Sequence, residues 1–255
     1  MTEIDCIFKV SIITVVYNNA HELQATIDSV IAQTYSNIEY IVVDGGSTDN
    51  TVDVIKSNAV GIDYWISERD AGIYDAMNKG VGFATGDYII FMNAGDTFYT
   101  NKALTRIFSL LNNEQPDVIM ASYNVHSAIR RNGIRKCKPL TDLWRGMVTC
   151  HQAVIFKKNY NITHSLNVGF AADYNLIVNM YINGANFKLY PDVILANYAG
   201  GGVSDVNQHD VYLSWFRIAK LLDVSKAKLY SYYTLMYVRS LCRFHLLKIF
   251  GRSLK

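Results

Sequence analysis

The sequence predicts an α/β fold, a mixed and mostly parallel sheet flanked by helices and followed by a helical C-terminal extension. Three observations carry this. Over the first ~110 residues, β-branched runs alternate with amphipathic helical stripes, the rhythm of a doubly wound sheet. The early strands are apolar on both faces, as strands covered by helices on each side must be. After Pro116 the runs shorten, and Arg131-Asn132-Gly133 marks a hairpin turn, so the sheet becomes mixed there.

Val10–Val16 (VSIITVV) is the first strand. Ala20 to Tyr35 follows as a helix, with Leu23, Ile27, Val30 and Ile31 on one stripe. Ile38–Asp44 (IEYIVVD) is the second strand, and it stops at Gly45-Gly46-Ser47-Thr48-Asp49, where glycines and capping side chains precede a helix over Thr51–Asn58. Ile62–Ser67 is a third strand and Ile73–Ala84 a long helix. Asp87–Met92 is the fourth strand, closing on the small-residue turn Asn93-Ala94-Gly95-Asp96. Beyond Pro116, Val118–Ser122 reads as a strand, Val125–Arg130 with Ile134–Lys138 as the hairpin, and Val154–Lys157 as another short strand. Ala172–Asn183 is a helix ended by Gly184 at the left-handed cap position, and Leu189–Asn197 leads into Gly200-Gly201-Gly202. From about Val206 the composition is helical. The expected division is a domain over 1–205, in halves of about 1–115 and 116–205, and an extension over 206–255.

Half of the 255 residues are hydrophobic and only 18% are charged, which excludes a disordered chain. Lys+Arg 24 against Asp+Glu 22 argues against a nucleic-acid partner held by bulk charge. Cys6, Cys137, Cys150 and Cys242 form no metal-ligand spacing and read as reduced thiols. Glu3 and Asp5 precede the first apolar run, no basic leader is present, and no uncharged stretch reaches the ~18 residues of a membrane span. A cytoplasmic protein is expected. The tail has no acid after Asp223; it carries Lys226, Lys228, Arg239, Arg243, Lys248, Arg252 and Lys255 among aromatic and aliphatic residues. Such a basic amphipathic helix lies peripherally on an anionic membrane surface, or packs against the domain or a second subunit.

Polar residues gather at the strand ends: Asp44 after the second strand, Glu68 and Asp70 after the third, Asn93 and Asp96 after the fourth. Strand ends of a parallel sheet open on one crevice, where ligands bind. Tyr17-Asn18-Asn19-Ala20 lacks the glycines of a dinucleotide turn, and no P-loop occurs. A diphosphate in this crevice therefore needs a metal to hold it.

Ser11–Asn18 (SIITVVYN), Ile41–Thr51 (IVVDGGSTDNT), Ser67–Gly80 (SERDAGIYDAMNKG), Gly86–Asp96 (GDYIIFMNAGD) and Ala171–Leu176 (AADYNL), in this order, resemble the family 2 glycosyltransferases of GT-A fold. The likeness runs from Val10 to about Ser204, and its third segment resembles bacterial exopolysaccharide, colanic acid and O-antigen transferases. It implies an inverting transfer of a sugar from a nucleotide donor, a UDP-sugar first among them, to a glycan or lipid-linked acceptor.

In that family the first two strand ends cradle the nucleotide, which here implicates Thr14, Tyr17 and Asp44, although Tyr17 also reads as a core aromatic. Asp70 and Asn78 belong to the segment beneath the nucleotide and sugar. Asn93-Ala94-Gly95-Asp96 stands where the family has a D-x-D-like motif; Asn93 and Gly95 then face the donor, and Asp96 binds a divalent ion, Mn²⁺ or Mg²⁺. One carboxylate suffices, because such an ion completes its shell with phosphate oxygens and water. Asp173 matches the acceptor-side motif whose Asp is the general base, a role compatible with helix capping. His151 and Gln152 line the acceptor side, or His151 is structural. Gly200 to Ser204 resembles a loop that closes over the donor. The rival class, a binding protein that kept the fold and lost turnover, draws on Asn93 in place of Asp. A sugar nucleotidyltransferase would need a glycine- and arginine-rich loop after the first strand, which is missing.

Overall fold

The structure, a computed structural model, describes residues 8–112, 114–127, 131–202 and 208–249, with side chains to 241. Strands β1 (Val10–Val16), β2 (Ile38–Asp44), β3 (Tyr64–Ser67) and β4 (Tyr88–Phe91) run parallel, with β1 between β2 and β4 and β3 outside β2. Beyond β4 come β8 (Val154–Lys157), then β6 (Val118–Val125), β9 (Phe187–Tyr198) and β5 (Thr97–Phe98), while β7 (Gly133–Arg135) hangs from β6. β6 and β9 keep the direction of the first four strands; β5, β7 and β8 oppose it.

The side chains alternate as the pleat requires. Val10, Ile12, Tyr40, Val42, Tyr88 and Ile90 enter the core under α1 (Ala20–Ile31) and α4 (Ala103–Ser109). Ile13, Val15, Ile41, Val43, Ile89 and Phe91 face the opposite core, with α3 (Ile73–Phe83) and α5 (Ala172–Ile182). Burial on both faces explains why these strands read as nearly continuous apolar runs. Helix α3 lies close to the sheet because Gly80 has no side chain: a Cβ there would stand 2.5 Å from Ile13 Cγ2. A short helix α2 (Thr51–Ser57) follows β2.

Several boundaries move for identifiable reasons. Helix α1 ends at Ile31 rather than at Tyr35, because Tyr35 is buried beside the sheet, stacked on Phe108 at 4.9 Å with its hydroxyl on the Phe8 carbonyl. β3 begins at Tyr64, since Asp63 instead ties its carboxylate and amide to the backbone of Tyr40. The first hairpin arm is the end of β6 itself, with Val125 paired to Gly133; residues 128–130 of the expected arm lie outside the described residues. β9 passes Pro191 through a register shift, where the Ser122 hydroxyl donates to the Pro191 carbonyl at 2.6 Å. β5 and α4 fall in a stretch the pattern left unassigned, and the pairing of Thr97 with Asn197 brings the end of β9 beside Asp96.

The tail forms α6 (Gln208–Ala219) and α7 (Lys226–Ile249). Leu229 and Tyr233 of α7 pack with Ala219 on Trp144, and Tyr233 donates to the Trp144 carbonyl at 3.1 Å. Lys228 covers the Trp144 ring at 4.7 Å, so this cation is committed to the domain. The opposite face leaves Tyr230, Leu235 and Val238 exposed. The side chains of Arg243, Lys248, Arg252 and Lys255 are outside the described residues, and so are Val203, Ser204, Val206 and the N-terminal Glu3, Asp5 and Cys6.

Candidate active site

A cleft of about 790 Å³ opens at the carboxyl ends of β1 and β4. Tyr17, Asp70, Asn93, Asp96, His151, Gln152 and Asp173 all line it. Thr14, Asp44, Asn78 and Gly95 are placed otherwise, each for a visible reason. Thr14 is fully buried, donating to the Met92 carbonyl at 2.8 Å beside the Tyr40 hydroxyl. Asp44 is also fully buried, and its carboxylate takes the Ser47 amide at 3.0 Å, the Ser67 hydroxyl at 2.6 Å and the Ser47 hydroxyl. It therefore shapes the loop after β2 from within. Asn78 exchanges two hydrogen bonds with the backbone of His164, at 2.9 and 2.7 Å. Gly95 is the hinge of its turn, at φ +101°, where a side chain would also strike Glu22.

One end of the cleft carries an open aromatic. Tyr17 is 62% exposed, which rules out the core reading. Between it and Asp70 lies Gly45, where a Cβ would come within 2.5 Å of Asp70 Oδ2. Asp70 spends its other oxygen on the Gly72 amide, 2.8 Å away, at the start of α3. Lys79 is held by Glu68 at 2.8 Å and by the Arg69 carbonyl at 2.9 Å, so it serves the same loop.

At the centre stands Asp96. Its Oδ2 accepts from Gln152 Nε2 at 2.6 Å and its Oδ1 from the Ala199 amide at 2.9 Å. Gln152, expected on the acceptor side, thus grips the strand-end carboxylate. Burial pushes the Asp96 carboxyl up to about 7, with the charge of Glu22 adding to it and the two hydrogen bonds opposing it. Nearby, Asn93 Oδ1 is buried without a partner. A carboxylate, an unpaired amide oxygen and the Glu22 carboxylate across the turn are donors suited to a hard divalent cation. Among the described residues no three acidic, His or Cys side chains gather into a cage. An ion held here would therefore use Asp96 and Asn93 and take its remaining ligands from a bound diphosphate and water.

Asp173 sits in the first turn of α5, two residues past the capping position at Ala171 rather than at it. Its Oδ1 accepts from the Tyr174 amide at 2.8 Å and from the Tyr74 hydroxyl at 3.4 Å, and no described residue hydrogen-bonds Oδ2. Burial raises its carboxyl to about 6, against these hydrogen bonds, which lower it. Such a group is ionised at neutral pH yet basic enough to take a proton, the compromise general-base catalysis asks for. His151 is buried, stacked on Phe91 at 4.9 Å, and burial holds its imidazole well below the usual range. It is a neutral wall, not a charge.

The sequence profile of glycosyl transferase family 2 matches residues 11–184, the span that builds this cleft. The chain belongs to that family. The PGL/p-HBAD biosynthesis glycosyltransferase of Mycobacterium bovis (strain BCG / Pasteur) is 33% identical over 208 residues, 76% of this chain and 78% of that one. An uncharacterized glycosyltransferase of Rickettsia typhi is 40% identical over 111 residues, 44% of this chain and 35% of its own. Among solved structures, S. aureus TarS 1-349 in complex with UDP-GlcNAc superposes with a TM-score of 0.67 at 16% identity, covering 89% of this chain and 71% of that one. The mannosyltransferase PcManGT from Pyrobaculum calidifontis, in complex with GDP-Man and Mn²⁺, gives 0.66 at 17% identity, covering 90% and 69%. The fold is GT-A, as the motifs implied.

In this family 2 glycosyltransferase the cleft also contains residues that motif reading passed over. Glu22 reaches the Asn93–Asp96 turn from the first turn of α1, a place where an acid is ordinarily credited to the helix dipole. Tyr74 lies inside a quoted motif, yet nothing in its spacing announces the contact with Asp173. Phe170 and Trp215 also line the cleft. Trp215 comes from α6, beyond the matched span, and only the folded chain shows it facing Asp173's end of the cleft.

Proposed function

We propose that this family 2 glycosyltransferase moves a sugar, with inversion, from a nucleoside-diphosphate donor, a UDP-sugar first, to a glycan or lipid-linked acceptor in bacterial surface-polysaccharide assembly. The observation that carries it is one cleft with a strand-end carboxylate, Asp96, and a second, partly buried carboxylate, Asp173, that has an open oxygen. Tyr17 and Asp70 supply a flat face and an acceptor oxygen for the nucleoside. Asp96 and Asn93 hold a divalent ion, whose chemistry when bound is to neutralise the departing diphosphate. Asp173 Oδ2 takes the proton of the acceptor hydroxyl as that hydroxyl attacks the anomeric carbon. Phe170 and Trp215 offer apolar faces to the acceptor, and the segment after Ala199 excludes water that would otherwise hydrolyse the donor. UDP-GlcNAc and GDP-Man on the structural neighbours support a nucleotide-sugar donor, and Mn²⁺ on one of them supports the ion.

A thermal-shift screen of UDP-, GDP-, dTDP- and CMP-sugars with Mn²⁺, Mg²⁺ or EDTA tests the donor site, because a ligand that binds the folded state raises the melting temperature. One nucleotide class should raise it, and EDTA should remove the effect. No shift with any donor in either metal would sink this reading.

The acid-free tail extends the proposal to a peripheral membrane position. Among the described residues no helix is long and apolar enough to cross a membrane. The outer face of α7 exposes Tyr230, Leu235 and Val238 between the exposed cations Lys226 and Arg239, the combination that anionic lipid surfaces attract. The protein should co-sediment with phosphatidylglycerol-containing vesicles and stay in solution with phosphatidylcholine alone. Leu235→Asp with Val238→Asp should abolish the difference; equal partitioning to both vesicles, or to neither, would refute the membrane role.

A further inference from the structure

Asp173 is held from two sides. On its own helix the Tyr174 amide meets Oδ1 at 2.8 Å, and from α3 the Tyr74 hydroxyl approaches the same oxygen at 3.4 Å. That second distance is long for an O–H···O bond, as catalytic hydrogen bonds in unliganded sites commonly are before substrate tightens them. The ring behind the hydroxyl is fixed. Tyr74 stacks on His164 at 5.4 Å with 20° between planes, and the two hydrogen bonds from Asn78, one turn along α3, clamp the His164 backbone. His164 is 1% exposed, both its ring nitrogens are unpartnered, and burial lowers its imidazole to about 4, so it acts as a neutral plate at any working pH. Asn78 thus acts on the site at third hand, through His164 and Tyr74, without entering the cleft.

We propose that Tyr74 is the positioning residue of the Asp173 base: its hydroxyl anchors Oδ1, which fixes the carboxylate plane and leaves Oδ2 to the acceptor hydroxyl. This rests on the reading of Asp173 as the base and extends it to a residue that does not itself touch substrate. The chemistry is consistent from both partners. Burial and the charge of Asp173 push the Tyr74 hydroxyl far up, so it keeps its proton and is always the donor. A donated hydrogen bond favours the ionised carboxylate, against the burial that favours the protonated one. The other titratable side chains of the cleft are Asp70 and Tyr17 at the nucleotide end, Glu22 and Asp96 at the Asn93–Asp96 turn, neutral His151, and Cys150, Tyr123 and Tyr198; Tyr74 is the one that hydrogen-bonds Asp173.

The test needs no substrate. Protein labelled with ¹³C at aspartate carboxyls is titrated by NMR, and Asp173→Asn identifies the Asp173 resonance by its loss. In Tyr74→Phe, which keeps the ring and its stack on His164, the Asp173 midpoint should rise by about 0.5–1 pH unit, the direction expected when a hydrogen bond to the charged form is lost. The melting temperature, set by the retained ring, should stay within a few degrees. An unchanged midpoint in a folded Tyr74→Phe protein would overturn the proposal. Should Tyr74→Phe fail to fold, Asn78→Ala, which releases His164 and with it the ring, must shift the same midpoint upward, and no shift there overturns it equally. Transfer activity judges the base itself: an Asp173→Asn enzyme that still turns over removes the base, while the titration decides the Tyr74 contact on its own.

Discussion

Asp173→Asn lowers kcat by about 10²–10⁴-fold, the range a general base contributes, and leaves donor affinity at the wild-type value. The substitution keeps the size of the side chain and its contact with the Tyr174 amide, so it removes basicity and little else. Donor binding uses the other end of the cleft and is untouched. The wild-type pH profile carries a second signature. With the Asp173 carboxyl raised to about 6, kcat should climb as pH rises through 6 and the base loses its proton. The direction is fixed, because only the ionised form accepts a proton. Steady-state rates from pH 5 to pH 8, with donor affinity measured separately, check both parts. Full turnover in Asp173→Asn would remove the base assignment.

Asp96→Ala eliminates divalent-dependent donor binding, a loss of about 10²-fold or more, in line with removing a principal electrostatic contact to the departing group. The carboxylate has a second task that Ala also abandons. It ties the Ala199 amide at 2.9 Å and the Gln152 amide at 2.6 Å, so the end of β9 and the glycines after it lose their anchor. Asp96→Asn separates the tasks, keeping a polar group of the same size without the charge. Its effect on stability has a defined sign. A carboxyl whose folded value is raised from 3.8 to about 7 favours the folded state below pH 3.8, and that contribution is lost as pH rises through 7. At pH 8 without metal the ionised group works against the fold, so Asp96→Asn should melt no lower than wild type while losing donor binding. A variant that binds donor normally in Mn²⁺ would contradict the role.

The strands β1, β2 and β4 were readable because each is buried on both faces, which leaves few positions for polar residues and produces near-continuous apolar runs, whereas β3, at the sheet edge, is half-exposed. β5 was not readable, since Thr97-Phe98 is a strand only by pairing with β9, one hundred residues away in the chain. Tyr35 misled the helix boundary because its apolar ring fits the helical stripe, whereas its hydroxyl serves the Phe8 carbonyl. In the site, Asp96 and Asp173 were legible as motif carboxylates at element ends. Motif likeness equally named Thr14, Asp44 and Asn78, and could not tell a group that faces the cleft from one that braces it from behind. Asp44 satisfies the loop after β2, Thr14 the end of β4, and Asn78 the backbone of His164. Gln152 shows the same limit, since its grip on Asp96 depends on how the strands pair.

Calorimetric titration of the donor found in the thermal-shift screen, in Mn²⁺, into wild type, Asp173→Asn and Asp96→Ala tests the division of the cleft most directly. Equal affinity for wild type and Asp173→Asn, with none for Asp96→Ala, is the predicted result. Donor binding that survives in Asp96→Ala, or that disappears with Asp173→Asn, would contradict the assignment of one carboxylate to the donor and the other to the acceptor.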